Sequence, residues 1–306
     1  MPLLSSSVAT RLTVLVNRAA GREGTNRHAL AIDRLLAAGL SPENVVTCAP
    51  SDLVAAARQA VENGAEIVVA AGGDGTVNAV ASALFGTAAA LGILPLGTLN
   101  HFARTLRIPV DLESAISTLL DGHRITVDAG TVNGNVFVNN SSIGLYSDIV
   151  DQREHDERRR GWSRWFSFVA AVARAWLRYP YLDVSVDVNG KHLVRHTPFV
   201  FVGNNDYAVQ GWEPGTRKTL RGGHLSLCVL QGAGRFAVLL FAIRALLGRL
   251  GKERDLDFME ATELLIESKR SHLRVAMDGE VKLLPTPLRY RIAPHALHVI
   301  VPAESR

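Results

Sequence analysis

Cysteine is almost absent from this chain of 306 residues, which contains only Cys48 and Cys228. Two cysteines at no metal-ligand spacing support neither a disulfide framework nor a cysteine zinc site, and they favour a reducing compartment. Long hydrophobic runs are missing too, because no apolar stretch reaches the roughly 18 residues of a transmembrane helix. The first residues lack a basic segment followed by an apolar core, so we expect no cleaved signal peptide and a cytoplasmic protein.

An excess of one charge sign is also lacking, since 33 lysines and arginines accompany 29 aspartates and glutamates, for a formal net charge of +4. This small positive balance suits anionic small molecules or an anionic membrane as well as nucleic acid. Hydrophobic residues make up 47% of the chain and charged residues 20%. That composition excludes disorder for most of the chain and allows one large domain or two of ordinary size.

The first part of the chain, from Arg11 to about Gly122, alternates between short apolar runs and amphipathic segments. The predicted strands, all interpreted as buried, are LTVLV, NVVTCA, IVVAA and LGILPL. The predicted helices, each ending in glycine, are TNRHALAIDRLLAAG, SDLVAAARQAVENG and TVNAVASALFG, the last with its periodic pattern beginning at Thr76. This alternation predicts β-α-β units and a parallel sheet.

After about Asp128 the pattern changes to pairs of alternating runs joined by Asn-Gly, in ITVDAGTVNGNVFVNN and in YLDVSVDVNGKHLVRH. Asn-Gly between alternating runs is typical of a β-hairpin, so this part is predicted to be mainly antiparallel. Two helices, Trp162 to Leu177 and Arg235 to Leu250, are predicted to interrupt it. The fold class is therefore α/β plus β: a parallel-sheet α/β domain over residues 1–124, an antiparallel β-sandwich over residues 125–292, and a C-terminal strand, near Leu297 to Pro302 within residues 293–306, that could return to the first domain.

Three glycine-rich turns follow predicted strands of the first domain: VNRAAGREG from Val16, AAGGDGT from Ala70 and PLGTLNHFAR from Pro95. Glycine allows a phosphate to approach the backbone, and the helix that follows directs N–H groups and a positive dipole end toward it. Because the carboxyl ends of parallel strands face one crevice, the three turns can converge on one polyphosphate. Merely tight turns are the alternative. The P-loop and dinucleotide motifs are absent, as are the protein-kinase motifs, so a P-loop NTPase and a protein kinase are set aside.

These motifs together resemble the diacylglycerol kinase catalytic family of lipid kinases: GGDGT from Gly72, PLGTLNHFAR from Pro95, VNRAAG before them and DGE from Asp278. VDAGTVNGNVFVNNSSIG and LHVIVP resemble that family's domain junction and C-terminal strand, so the resemblance spans nearly the whole chain. GGDGT alone is shared with NAD kinases and phosphofructokinases. The PLGTLN and DGE elements therefore distinguish the lipid kinase family from NAD kinases and phosphofructokinases.

The resemblance implies an ATP-dependent kinase that phosphorylates a lipid alcohol, such as diacylglycerol, a sphingoid base or ceramide, in the cleft between its domains. Such transfer requires Mg²⁺ to screen the triphosphate and a carboxylate to accept the proton of the acceptor hydroxyl. The resemblance assigns Asp74 to Mg²⁺ and the phosphates, and Glu280 to the general base, with Asp278 beside it as a third catalytic candidate. The implied nucleotide-contacting residues are Asn17, Gly21, Gly72, Gly73, Gly75, Thr76, Asn78, Gly97, Thr98 and Asn100.

Simpler roles compete with these assignments. Asp74 could cap the helix that follows it, and Glu280 could be a solvated hairpin residue beside Gly279. Four scattered histidines are interpreted as ordinary surface or core residues, namely His224, His272, His295 and His298. Two other functions also stay open: an NAD kinase-like enzyme, and a lipid- or nucleotide-binding regulator with weakened catalysis.

The chain departs from the family pattern at two places. Family members commonly have an aspartate where His101 stands, which puts metal affinity in doubt more than activity. Many bacterial relatives also have an Asp-Asp-Gly turn that binds a structural Mg²⁺, and the matching stretch here is LRGGHLSL, with Arg221 and Gly222 in place of the acids. We therefore expect that folding does not require Mg²⁺.

Two further segments combine basic and apolar residues. RRRGWSRWFSFVAAVARAWLRYPY, Arg158 to Tyr181, places tryptophans near one helical face with arginines beside them, and RFAVLLFAIRALLGRLGK from Arg235 is similar. Tryptophan and arginine suit the membrane interface, so we expect peripheral association with an anionic membrane surface. Packing of both helices on the sandwich is the alternative. No nucleic-acid partner is expected, and exposed edge strands of the second domain could pair in a homodimer.

Overall fold

The computed structural model describes residues 11–18, 22–144, 181–206, 219–230 and 256–303. The chain divides into two compact units, the first Met1–Ala129 with Pro294–Arg306 and the second Gly130–Ala293. The helices of the first unit are α1 (Arg22–Ala37), α2 (Leu53–Glu62), α3 (Asp74–Leu84), α4 (His101–Thr105) and α5 (Leu112–Asp121). Its strands are β1 (Leu12–Asn17), β2 (Val45–Cys48), β3 (Ile67–Gly72), β4 (Ala90–Pro95) and the end of β16 (Leu288–Val301).

The sheet of the first unit is parallel, in the order β2-β1-β3-β4, with the end of β16 next to β4. Strands β3 and β4 are buried along nearly their whole length, as their continuous apolar runs predict. The expectation that NVVTCA is a buried strand was wrong. Strand β2 lies at the edge of the sheet, with β1 as its paired neighbour, and Val46 and Thr47 are exposed.

Helices α1 to α3 form where the apolar periodicity predicts them, and glycines follow their last turns. Gly39, Gly64 and Gly86 all have positive φ, the conformation that ends a helix without strain in glycine. Helix α3 begins at Asp74, not at Thr76, with Gly73 in the N-cap position. On the sheet, Leu35 of α1 packs against a core that includes Val14 and Val69.

The second unit contains two layers of antiparallel strands. One sheet has the order β12-β11-β10-β7-β14-β15, and the other includes β16, β13, β8 and β9. Apolar residues of both sheets form a single core, including Val186 and Ile266 of one and Val202 and Val275 of the other. This arrangement confirms the predicted β-sandwich. Its strands are β5 (His123–Val132, in part), β6 (Asn135–Phe137), β7 (Asn140–Gly144), β8 (Leu182–Val188), β9 (Lys191–Thr197), β10 (Phe199–Asn204), β11 (Leu225–Leu230), β12 (Leu256–Ala261), β13 (Glu263–Ser268), β14 (His272–Met277), β15 (Glu280–Pro285) and the start of β16.

Two-residue turns join three hairpins of this unit. Asn133-Gly134 and Asn189-Gly190, the two turns predicted from the sequence, and also Asp278-Gly279, all have positive φ at both positions. That conformation matches the twist of the flanking strands.

The C-terminal strand β16 is longer than predicted, because it spans Leu288–Val301. Its first part pairs with β13 in the second unit, and its last part pairs in parallel with β4 of the first. The predicted helices at 162–177 and 235–250 lie outside the described residues. Among the helices that the structure does describe, none is long and apolar enough to cross a bilayer.

Candidate active site

The turn between β3 and α3 is held in place by a residue of the neighbouring strand β1. Asn17, at the end of the neighbouring strand β1, donates from Nδ2 to Thr76 Oγ1 at 3.1 Å. Gly72 allows this close packing, since a Cβ added there would lie 2.3 Å from Thr76 Oγ1. The ends of β1 and β3 therefore meet at the start of α3, as the convergence argument predicts.

The turn between β4 and α4 is closed by Asn100. This residue is 6% exposed and has a φ of 51°, a left-handed conformation that asparagine tolerates. Its Oδ1 accepts from Gly97 N at 3.1 Å, and its Nδ2 donates to Gly97 O at 2.9 Å. The side chain of Asn100 thus fixes the loop in which Gly97 and Thr98 lie.

Asp74 connects the two turns. Gly73 occupies the N-cap of α3 and Asp74 is the first helical residue, so the alternative in which Asp74 caps α3 is wrong. Instead Asp74 Oδ1 lies 3.5 Å from the backbone N of Phe102 in α4. Arg27 of α1 also contacts the second turn, where its Nη1 donates a hydrogen bond to Leu96 O at 3.4 Å. The sequence did not indicate this contact. The half-buried carboxylate of Asp74 is therefore positioned by both turns.

The other predicted nucleotide contacts have diverse surroundings. Gly75 lies in the first turn of α3, where backbone N–H groups have no partner within the helix and the dipole is positive. Thr98 is exposed on its loop. Asn78 is buried within α3, and its Oδ1 has no hydrogen-bond partner among the described residues. Gly21 lies outside the described part of the chain.

A donor set of this kind fits a magnesium-bound polyphosphate. Asp74 would supply one hard carboxylate oxygen, and phosphate oxygens and water would complete the shell that Mg²⁺ prefers. The N–H groups at the start of α3, which have no partner within the helix, suit the phosphates themselves. His101, where the resemblance leads us to expect aspartate, is the exposed first residue of α4 and adds no carboxylate.

In the second unit, Asp278 is tied to the backbone. Its Oδ2 accepts from Val138 N at 2.7 Å, while its Oδ1 accepts from Asn139 N at 2.7 Å and Asn140 N at 3.0 Å. Asn204, fully buried, holds the same segment by donating from Nδ2 to Val138 O at 2.9 Å. No local pattern indicated this network, because its members are distant along the chain.

Glu280 begins β15, directly after the Asp278-Gly279 turn, and is paired in register with Met277. Its side chain is exposed. Because Asp278 anchors the turn, the backbone at Glu280 has a fixed position at an exposed hairpin end. An exposed carboxylate on a fixed turn can accept a proton from a bound hydroxyl group.

Comparison with known protein families agrees with the fold. Residues 11–132 match the model described as the diacylglycerol kinase catalytic domain, and residues 142–301 match the YegS C-terminal NAD kinase beta sandwich-like domain. The diacylglycerol kinase of Bacillus subtilis (strain 168) is 26% identical over 303 residues, 96% of this chain and 97% of that protein. A Cronobacter sakazakii protein named "Probable lipid kinase YegS-like" is 40% identical over 109 residues, 34% of this chain and 36% of that protein.

Solved structures show the same architecture. A crystal structure of a diacylglycerol kinase-like protein from Bacillus anthracis str. Sterne has a TM-score of 0.74 at 22% identity, covering 95% of this chain and 97% of that one. Yeast NADH kinase is more distant, with a TM-score of 0.54 at 11% identity, covering 100% and 85%. At these identities the likeness concerns the fold. With both domain models matched in order along the chain, this protein belongs to the diacylglycerol kinase catalytic family, in its two-domain YegS-like form.

Proposed function

We propose that this protein is a lipid kinase that transfers the γ-phosphoryl group of ATP to the hydroxyl of a lipid alcohol, such as diacylglycerol, a sphingoid base or ceramide. The observation that carries the proposal is the pair of braced glycine turns, Gly72–Thr76 and Gly97–Asn100, at the carboxyl ends of the adjacent strands β3 and β4. Glycine turns beside a helix N-terminus are suited to phosphate groups. Family membership supports the same reaction.

The nucleotide side of the reaction is assigned to the first unit. The N–H groups at the start of α3 and the Gly97–Asn100 loop would bind phosphate oxygens, with Asn17 and Asn100 fixing these turns. Mg²⁺, when bound, neutralises phosphate charge, and Asp74 is the residue proposed to hold it.

The acceptor side is assigned to the turn that carries Glu280. In the proposed reaction, the lipid hydroxyl oxygen forms the new bond to phosphorus, its proton passes to Glu280, and ADP leaves with the electrons of the broken P–O bond. Both carboxylate oxygens of Asp278 accept backbone N–H groups. We therefore propose Asp278 as a positioning residue for Glu280.

A lipid acceptor requires access to a membrane surface. The segments proposed to provide this, residues 158–180 and 235–252, lie outside the described residues, and their tryptophan and arginine content supports the proposal. Sedimentation with vesicles of zwitterionic lipid, with and without anionic lipid, tests it for the wild type and a Trp162→Ala, Trp165→Ala double variant. Binding that ignores anionic lipid, or a folded double variant that binds normally, argues against the proposal.

Transfer of radiolabelled phosphate from ATP to a panel of acceptors tests the function as a whole. The panel contains diacylglycerol, sphingosine, ceramide and NAD. Labelling of a lipid supports the proposal. Labelling of NAD alone favours the NAD kinase alternative, which the fold shared with yeast NADH kinase motivates. Nucleotide binding without any transfer favours the regulator that the His101 substitution suggested.

A further inference from the structure

Three side chains of the second unit meet on one part of the six-stranded sheet. Asp206 follows β10, His224 precedes β11 and Glu260 lies on β12, and these strands are neighbours in the order β12-β11-β10. One ligand atom from each of the three residues lies within 4.8 Å of the other two. Strand pairing therefore assembles an imidazole and two carboxylates that are distant in sequence.

The hydrogen-bond partners of His224 favour a positive charge at its Nε2. Nδ1 lies 2.9 Å from the carbonyl oxygen of Gly222, which can only accept, so Nδ1 carries a hydrogen. Nε2 lies 2.9 Å from Asp206 Oδ1. In a neutral ring of this tautomer, the lone pair of Nε2 would face a carboxylate oxygen. A proton or a metal ion between the two atoms removes that repulsion.

The same geometry changes the pKa of His224 in the metal-free protein. Burial disfavours the charged ring, but the hydrogen bonds with Gly222 and Asp206 and the negative charges of Glu260 and Asp206 outweigh burial, so the pKa of His224 is raised above its usual 6.5. The groups that raise this pKa are the Gly222 carbonyl and the carboxylates of Asp206 and Glu260.

A second, independent feature lies beside the ring. Asn205 has no exposed surface, and its Oδ1 has no hydrogen-bond partner among the described residues. A Cβ added to Gly222 would lie 2.8 Å from this Oδ1 and 2.8 Å from His224 Cε1. Gly222 thus packs tightly against both the His224 ring and a buried oxygen that lacks a donor, since a side chain there would clash with each of them.

We infer that Asp206, His224 and Glu260 form a binding site for a divalent transition-metal ion of the Zn²⁺ class. The Gly222 carbonyl selects the tautomer whose Nε2 can bind a metal, as carbonyl groups do in known zinc sites. Imidazole with carboxylates suits Zn²⁺, whereas Mg²⁺ and Ca²⁺ prefer oxygen ligands alone. Ligands about 2.0–2.2 Å from Zn²⁺ lie roughly 3.4 Å apart in a tetrahedron, and the exposed Glu260 can move inward to reach that spacing.

The inference is separate from the expectation about Mg²⁺. Arg221 and Gly222, which take the places of the metal-binding acids expected from the resemblance, contribute no side-chain ligand to this set. The expectation that folding does not require Mg²⁺ therefore stays a prediction. The assigned metal differs in class because His224 introduces a nitrogen ligand.

Zinc titration of the full chain tests the site. The protein is stripped with a chelator, dialysed, and titrated with ZnCl₂ in competition with a chromogenic zinc indicator. We expect the wild type to bind one Zn²⁺ ion tightly and the His224→Gln variant to lose this binding. The Glu260→Gln variant should bind Zn²⁺ with an affinity at least about ten-fold weaker. His196→Gln is the matched control, because His196 forms a similar pair with Asp183 at 2.7 Å without belonging to a three-ligand cluster among the described residues. This control should titrate like the wild type.

Several results would overturn the inference. Wild type that takes up no more Zn²⁺ than His224→Gln, or Glu260→Gln that binds as tightly as wild type, removes the site. Circular dichroism of each variant identifies any that fails to fold, and the exposed Glu260 keeps one variant free of that complication. In thermal unfolding, Zn²⁺ should raise the midpoint of the wild type, and an equal effect of Mg²⁺ would contradict the assignment to a transition metal.

Discussion

Gly97 and Gly73, from two different turns, lie directly against each other. A Cβ added to Gly97 would be 2.5 Å from the Cα of Gly73 and 2.9 Å from Asn100 Oδ1. The Cα of Gly73 belongs to the backbone, so it cannot rotate away from an added Cβ as a side chain could. The proposed phosphate-binding turns therefore owe their shape to the absence of a side chain at Gly97.

Gly97→Ala should weaken ATP binding and lower the thermal midpoint, because the two turns must separate to accept the methyl group. Gly73→Ala is the matched comparison. A Cβ there would lie 3.4 Å from the Cα of Gly97, which is close to ordinary contact, and should be better tolerated. Calorimetric ATP titration and thermal unfolding measure both effects. Equal losses for the two variants would contradict this account of the packing.

Glu280→Gln should lower kcat by about 10² to 10⁴, because the amide keeps the shape but cannot accept the proton. ATP affinity should stay within a few-fold of wild type. Asp74→Asn, in contrast, should weaken both ATP binding and turnover. Glu267→Gln, an exposed carboxylate elsewhere in the second unit, serves as the control and should behave as wild type. A Glu280→Gln variant with near-normal kcat would exclude the base role.

Asp278→Asn should destabilise the protein. In the wild type both carboxylate oxygens of Asp278 accept hydrogen bonds from backbone N–H groups. The NH₂ group of asparagine cannot accept a hydrogen bond, so one backbone N–H would lose its partner. Loss of a hydrogen bond to a charged group costs about 1.5–3 kcal/mol. Urea unfolding measures this change. If Asp278 positions Glu280, kcat should fall with the apparent pKa of the rate profile altered. A variant of normal stability would show that the three N–H contacts contribute little.

The raised pKa of His224 makes stability depend on pH. In metal-free protein the folded state holds this proton more tightly than the unfolded chain, whose histidine has a pKa near 6.5. The stabilisation is therefore complete below about pH 6.5 and is lost as pH rises through the raised folded pKa. The groups responsible are Asp206, Glu260 and the Gly222 carbonyl. Unfolding free energies of wild type and His224→Gln should converge with rising pH, and a constant difference would contradict this.

Much of the fold followed from local patterns. Val68 to Ala71 form a continuous apolar run, which fits a strand with neighbours on both sides. Asn133-Gly134 and Asn189-Gly190 specify hairpins because few other residues accept positive φ twice in succession. The prediction that strand β2 is buried was wrong, because apolar residues alone do not show whether a strand lies at the centre or the edge of a sheet.

The sites were harder to predict because they depend on contacts between distant residues. GGDGT and PLGTLN identified the two turns, but not that Asn100 closes its loop through Gly97 or that Asp74 lies near Phe102 N. His224 looked ordinary in the sequence. Its neighbours Asp206 and Glu260 are brought to it by strand order, which no local pattern encodes.

The Asp278 network also bears on the order of folding. Its three hydrogen bonds join residues 138 to 140 positions apart. Closing so long a loop costs chain entropy before any contact compensates for it, so such pairings form slowly. We therefore expect the hairpin that carries Glu280 to settle only after β7 has joined the sheet. If Glu280 is the proton acceptor that we propose, a newly synthesised chain would acquire it in one of the last steps of folding, and an incompletely folded protein would lack the proposed activity.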